Sequence, residues 1–411
     1  YQDNAVFQEL YSWYLQSPEY RILVKKLTEA SFSERPSDKI GKTVAKILYG
    51  EISPYSATRL ERFAACAFAH FLQYGLKVTE RAEYEFRAMD MGNVMHMALE
   101  KFAAEVRKEG LDWAELTEEE RNRIIDSCLD QVSADYGNTI LKSSARNEYM
   151  IERTRRILRR TVWALQEQLK HGAFRPEGFE VRFQGGRIDR VDIMEEPENN
   201  RVYVKVIDYK TGNTSFDLLA LYHGLQLQLM VYLDGALQVE KRKYPDREIV
   251  PAGVFYYNVK DPMIQEKIHA DMESINEQML KKMKMNGLVQ ADDNMSTKID
   301  STMASIPVSL NRDGSFSKRS SVASRKQFDA LGAYVRRKIC DIRESILDGN
   351  AAVEPYELGK KNACTYCPYL TVCGFDRKIP GYEFHRLSSI EEDALWKKIM
   401  KGEEENGSEM D

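Results

Sequence analysis

The chain has 411 residues, 43% of them hydrophobic, and a formal net charge of −5. That length exceeds one small core and predicts two or three domains or subdomains with real interiors. No apolar run approaches the roughly 20 residues that span a bilayer. No secretory leader is read at the start, and bulk charge announces no polyanionic partner, so nucleic-acid contact would need a local basic patch.

The opening at Tyr1 without Met suggests a piece of a longer polypeptide. Residues 1–50 read as helices, with Phe7, Leu10, Tyr11 and Tyr14 at helical spacing. Gly41-Lys42-Thr43 imitates the end of a phosphate-binding loop, but Pro36 stands where glycine is required and no strand precedes it, which rejects nucleotide binding there. Ser53 to Tyr74 reads as a capped helix pair with Ser56 as N-cap. Gly92 to Val106 is an amphipathic helix carrying His96, and a lone helical histidine is more often packed or solvated than a ligand. Residues 117–135 and 146–170 read as long helices separated around Gly137. The second carries Arg153, Arg155, Arg156, Arg159 and Arg160, either a solvated basic face or a wall for phosphates, with Arg153, Arg156 and Arg160 as the DNA-contact candidates.

From Gly178 to Lys210 the hydrophobic period becomes two, with a break at 197–200, which predicts a hairpin. Residues 215–240 return to helix, Val250 to Val259 reads as a strand, and 263–285 and 325–348 read as helices. The polar stretch 287–322 is expected to be a long loop, and the acidic 401–411 a disordered tail. This order predicts an α/β core wrapped by helices.

The hairpin carries the chemistry. Pairing Glu195 with Val202 places Asp189 opposite Asp208, with Cβ atoms roughly 4.5–5.5 Å apart. Two carboxylates so close repel, and a divalent cation between them removes that cost; Mg²⁺ favours such oxygen ligands. The cation can activate water and stabilise a phosphoryl oxygen. Lys210, two residues beyond Asp208, shares its face and can stabilise developing charge. Asp192 points to the other side of its strand from Asp189, so both cannot face one metal. Glu180, on the preceding segment, is a further carboxylate candidate. Gln226, Gln228 and Tyr232 follow on a helix, with Gln228 and Tyr232 on one face.

Cys364-x2-Cys367-x5-Cys373 supplies three close thiols, which points to a metal. Cys66, in an apolar, partly helical segment, is the best fourth candidate, whereas Cys128 and Cys340 read as small hydrophobes in helices. Four thiolates suit zinc or an iron–sulfur cluster, and spacing does not choose. Joining Cys66 to Cys364 would staple the two ends of the domain.

Together, Gly186-x2-Asp189-Arg190-x-Asp192, Ile207-Asp208-Tyr209-Lys210-Thr211-Gly212 and Gln228-x3-Tyr232 resemble the RecB-like branch of the restriction-endonuclease-like, PD-(D/E)XK nucleases. Tyr55 through Phe71, Gly92-x3-His96 and the stretch Cys364 to Phe375 resemble the AddB subunits of AddAB helicase–nucleases. The likeness covers roughly residues 50 to 380. It implies a restriction-endonuclease-like mixed sheet flanked by helices, with helical additions and an iron–sulfur staple. It implies that His96, Asp189 and Asp208 bind Mg²⁺, that Lys210 is the catalytic lysine, and that Gln228 and Tyr232 lie near DNA as part of the catalytic set. It also implies a four-iron, four-sulfur (4Fe-4S) cluster on Cys66, Cys364, Cys367 and Cys373.

The implied organisation is a helical remnant of a helicase-like region over 1–50, a nuclease domain over 51–385, and a C-terminal helix with acidic tail over 386–411. The implied role is cleavage of the 5′-ended strand at DNA double-strand breaks in the bacterial cytoplasm, with the AddA helicase–nuclease as partner. Rival readings are a CRISPR-associated exonuclease, for which the chain is too long, and a non-catalytic DNA-end clamp. An electron-transfer protein ranks last because it leaves the carboxylate hairpin unexplained.

Overall fold

The computed structural model describes residues 4–32, 39–50, 56–81, 88–136, 144–264, 271–379 and 381–407. Gly137, Ser53, Tyr55 and the last four residues, which figure in the expectations above, lie outside the described residues.

Helices lead: α1 (Ala5–Gln16), α2 (Arg21–Phe32), α3 (Lys42–Tyr49), α4 (Ala57–Ala65), α5 (Ala67–His70) with a π-turn over Phe71–Gly75, α6 (Ala88–Lys108), α7 (Glu118–Asp135) and α8 (Ala145–Lys170). Thr117 starts α7 with a capping box to Glu120, and Ser144 caps α8. Then come β1 (Arg175–Phe183), β2 (Gly186–Glu196), β3 (Arg201–Lys210), α9 (Leu218–Tyr222), α10 (Gln228–Lys243) and β4 (Glu248–Asn258). The rest is α11 (Met272–Lys282), β5 (Asn286–Gln290), α12 (Met295–Ile299), β6 (Val322–Ala323), α13 (Arg325–Leu347), β7 (Tyr356–Leu358), β8 (Lys361–Asn362), α14 (Leu370–Cys373), β9 (His385–Arg386) and α15 (Glu392–Gly407).

Strands β1 to β6 form one mixed sheet in chain order. β1, β2 and β3 are an antiparallel meander, β3 and β4 run parallel with α9 and α10 as the crossover, and β5 is antiparallel to β4. The expected mixed α/β fold is therefore present. Alternation sorts the side chains of β3: Val202, Val204 and Val206 join one core, and Tyr203, Ile207 and Tyr209 the other. The first core packs against α4, α10, α13 and α15; the second packs against α6, α7 and α8. Leu395, Trp396 and Ile399 bring α15 into the first core.

Three expectations change. The region 178–210 holds three strands rather than one hairpin, because Gln184-Gly185 makes a second turn. The 287–322 loop contains β5 and α12. β5 offers only Leu288 and Val289 as an apolar signal, and its Gly287 lies where a Cβ would meet the Val254 carbonyl at 1.9 Å, so close pairing with β4 requires glycine. Residues 401–407 of the expected tail continue α15 as helix.

Candidate active site

β2 and β3 pair as Glu195↔Val202 through Arg190↔Ile207, and Asp189 and Asp208, the next residue on each strand, line the same cleft. On the other side, Phe179↔Arg190 and Val181↔Ile188 bracket Glu180 opposite Asp189. Three carboxylates thus stand in a row across β1, β2 and β3. Glu180 adopts φ +49°, a left-handed conformation that costs a non-glycine residue about 1–2 kcal/mol, so the local fold holds this side chain in place against strain.

Helix α6 supplies His96 from the other layer. Its Gly92 lets the helix approach the end of β3: a Cβ there would meet Thr211 Oγ1 at 3.2 Å. His96 Nδ1 lies 3.4 Å from Asp189 Oδ2, which also accepts the Tyr209 backbone N–H at 2.7 Å. His96, Glu180 and Asp189 each offer a ligand atom within 4.8 Å of the others. Lys210 Nζ lies 2.7 Å from Asp208 Oδ2 and donates to Gln228 Oε1 at 2.7 Å, and Gln228 Nε2 donates to the Tyr232 hydroxyl at 2.8 Å. His96, Asp189, Asp208, Lys210, Gln228 and Tyr232 all line one cleft of about 730 Å³.

The electrostatics fit a cation site. Burial raises the Asp189 carboxyl well above the ordinary range, reinforced by the Asp208 charge, and burial also raises Asp208 against the pull of Lys210. Burial and the Lys210 charge lower His96 to about 4, so its imidazole is neutral at pH 7 with a lone pair to offer. Glu180 is raised by burial, countered by Arg187, with which it pairs.

Sequence reasoning missed Glu61. This α4 residue reaches across 166 positions to the start of α10, where its Oε1 accepts the backbone N–H groups of Leu227 at 2.6 Å and Gln228 at 2.9 Å. No local side chain caps α10, so a carboxylate from another helix does so. Gln226 precedes α10 rather than lying on it, and its amide braces Asp217 and Ser215.

The four cysteines Cys66, Cys364, Cys367 and Cys373 meet at one small apolar pocket with Phe68, Leu370 and Phe375. None forms a disulfide. Burial pushes Cys66 upward, and burial plus the three neighbouring thiols pushes Cys364 to about 11. The Arg62 guanidinium approaches Cys367 Sγ at 3.9 Å. Cys128 is buried, as expected of a small hydrophobe, whereas Cys340 is exposed.

The basic helix is locally neutralised. Arg156 Nε donates to Asp261 Oδ2 at 2.9 Å and Arg160 pairs with the same carboxylate, while Arg155 and Arg159 engage Asp126. Arg153 is exposed on that helix, and none of these arginines lines the catalytic cleft.

Residues 54–374 match the model of the PD-(D/E)XK nuclease superfamily. The chain belongs to that superfamily. It is a nuclease by family, and enzymes of this family commonly use divalent metals. Similar proteins include the B subunit of the ATP-dependent helicase/deoxyribonuclease of Lachnoclostridium phytofermentans, 40% identical over 97% of this chain and 36% of that protein. The corresponding protein of Alkaliphilus metalliredigens is 35% identical over 96% of the chain and 36% of its own length, and that of Thermoanaerobacter sp. is 33% identical over 99% and 37%. The chain thus spans little more than a third of these relatives. Among the described residues no helix is long and apolar enough to cross a membrane.

Proposed function

We propose that this chain is the nuclease part of a helicase–deoxyribonuclease of the AddB type that hydrolyses DNA phosphodiesters with Mg²⁺. The observation that carries the reading is that Asp189 and Asp208, the residues next beyond the Arg190↔Ile207 pair, share one cleft, with Lys210 2.7 Å from Asp208. In this reading His96, Asp189 and Asp208 hold the cation, and Glu180 stands by as a further oxygen donor. The donor set fits a hard cation: two buried carboxylates whose mutual repulsion it would relieve, and a neutral imidazole. When bound, the ion supplies Lewis-acid stabilisation of the phosphoryl oxygens. Lys210, anchored between Asp208 and Gln228, holds a positive charge where negative charge develops on the phosphate. Tyr232 locks Gln228, which fixes Lys210 in turn.

The 5′-ended strand as substrate, the AddA-type partner, and a domain division at residues 50 and 385 belong to the same reading, supported by similarity to the helicase/deoxyribonuclease relatives. The gathered thiols support a 4Fe-4S cluster on Cys66, Cys364, Cys367 and Cys373: four cysteines free of disulfides in an apolar pocket, beside a guanidinium that balances negative charge.

The test is cleavage of end-labelled duplex and single-stranded DNA with Mg²⁺, beside Asp208→Ala. The variant should fold and bind DNA but lose at least about 10²-fold in rate. Full Mg²⁺-dependent cleavage by the variant would refute the assignment.

A further inference from the structure

Behind the catalytic cleft, the β1–β2 hairpin, α10 and α13 enclose a second groove of about 510 Å³. Met230, Val231, Val335 and Ile339 give it an apolar floor, and Arg182, Arg242, Arg336 and Arg343 line it with positive charge. Its one lining carboxylate, Asp234, is engaged by Arg336 at 2.9 Å and by the Gln238 amide at 2.7 Å. In a chain of net charge −5, Arg182 and Arg242 bring positive charge to this groove that its lining carboxylate, held by Arg336, does not offset.

The groove and the cleft share a wall. Phe183 lines the groove, Tyr232 lines the cleft, and their rings meet edge to face at 5.9 Å. Two glycines allow this contact: a Cβ on Gly235 would lie 2.4 Å from the Phe183 ring, and one on Gly185 would lie 2.5 Å from it. The hairpin is therefore pressed onto α10, and one aromatic pair separates the groove from the cleft.

Arg182 stands directly opposite Arg187 across the hairpin. Like charges in that position destabilise a strand pair. Arg187 turns to Glu180 in the cleft, while Arg182 is exposed and lines the groove. Among the described residues no acidic side chain forms an ion pair with Arg182 or Arg242. Glu180 offsets the charge of Arg187, and an anion in the groove would do the same for Arg182.

We propose that this groove carries the backbone of a single DNA strand continuing from the catalytic cleft, an inference that rests on the nuclease reading above. Guanidinium forks match phosphate oxygens, and an apolar floor accepts the faces of unpaired bases, whereas a duplex hides its bases.

The experiment uses the whole chain in chelator, so that binding is read without cleavage. Anisotropy of a labelled single strand is followed across salt for wild type, for Arg182→Gln/Arg242→Gln and for Arg182→Lys/Arg242→Lys. Loss of two phosphate contacts should lower the log–log salt slope by about 1.4 and weaken binding about 25-fold near 0.1 M salt. The lysine pair should keep most of the slope. Both arginines are exposed, so an unchanged melting temperature confirms that the glutamine variant folds. Unchanged affinity and slope would overturn the proposal, as would a loss confined to duplex DNA or to binding of a protein partner. If wild type binds through the groove but cleaves nothing with Mg²⁺, the nuclease reading fails while the groove stands.

Discussion

Asp189 and Asp192 lie three positions apart on β2 and end in different chemistry. Asp189 faces the cleft, whereas Asp192 is 0% exposed and binds Arg190 Nε at 2.6 Å, Arg190 Nη2 at 2.9 Å and Lys205 Nζ at 3.0 Å. Burial pushes the Asp192 carboxyl up, but the two cations outweigh it and hold it low. Trp113 and Phe179 flank the Arg190 guanidinium at 5.1 and 5.7 Å from their ring centroids. This separation was legible in the sequence, because side-chain alternation sends the two aspartates to opposite faces. The register that ends at Arg190↔Ile207, next to Asp189 and Asp208, opposes Asp192 to Lys205. Asp192→Ala should therefore damage stability rather than chemistry. It strands two cations in the interior, at a cost of about 3–5 kcal/mol. Denaturant unfolding checks this; a loss below about 1 kcal/mol would show that the network carries no such weight.

Helix α4 connects two regions that the sequence presents as unrelated. Its Glu61 caps α10, its Arg62 lies over the Tyr369 ring at 5.7 Å, and Cys66 ends it. None of these partners is local, so no spacing rule reveals them; the same holds for Asp261, which lies more than 100 positions from the arginines it neutralises. β5 was hidden for another reason, since five residues with two apolar ones resemble loop. Burial raises Glu61 to about 7 against the pull of the two backbone N–H groups. The folded value lies above the unfolded one, so the folded state binds the extra proton. Its contribution to stability is present below about pH 4.5 and is lost as pH rises to about 7, by about 3 kcal/mol before solvent screening. Both hydrogen bonds use Oε1, so Glu61→Gln can keep the cap while removing the titration. Metal-free Glu61→Gln should show a flatter melting temperature between pH 5 and 7.5 than wild type. Glu61→Ala should flatten the profile as well and lie about 1–3 kcal/mol below Glu61→Gln at every pH, because it orphans two donors. If both variants keep the pH profile of wild type, Glu61 is not the titrating group.

At the scale of the whole molecule, the cysteines bring together α4 and a segment far along the chain, with about 300 residues between Cys66 and Cys364. Closing a free loop of that length would contribute about 5–6 kcal/mol in the chain-entropy model. The packing argues for less. α4 and α13 already meet in one core, and the Phe68 N–H donates to the Ala352 carbonyl at 3.0 Å. With those contacts in place, a cluster on the four thiols closes only about a dozen further residues, which is worth about 3 kcal/mol. Under the cluster reading proposed above, the staple is a local clasp that would hold residues 353–379 and 381–386 onto α4 and α5. Cys66→Ser should lose the iron-dependent visible absorbance and fall by no more than about 3 kcal/mol. Amide exchange should accelerate from 353 to 386 while α4, α13 and the central sheet keep their protection. Collapse of protection in α13 and the sheet together with that segment would show instead that the thiols hold the two ends of the molecule together, and the local account would fall.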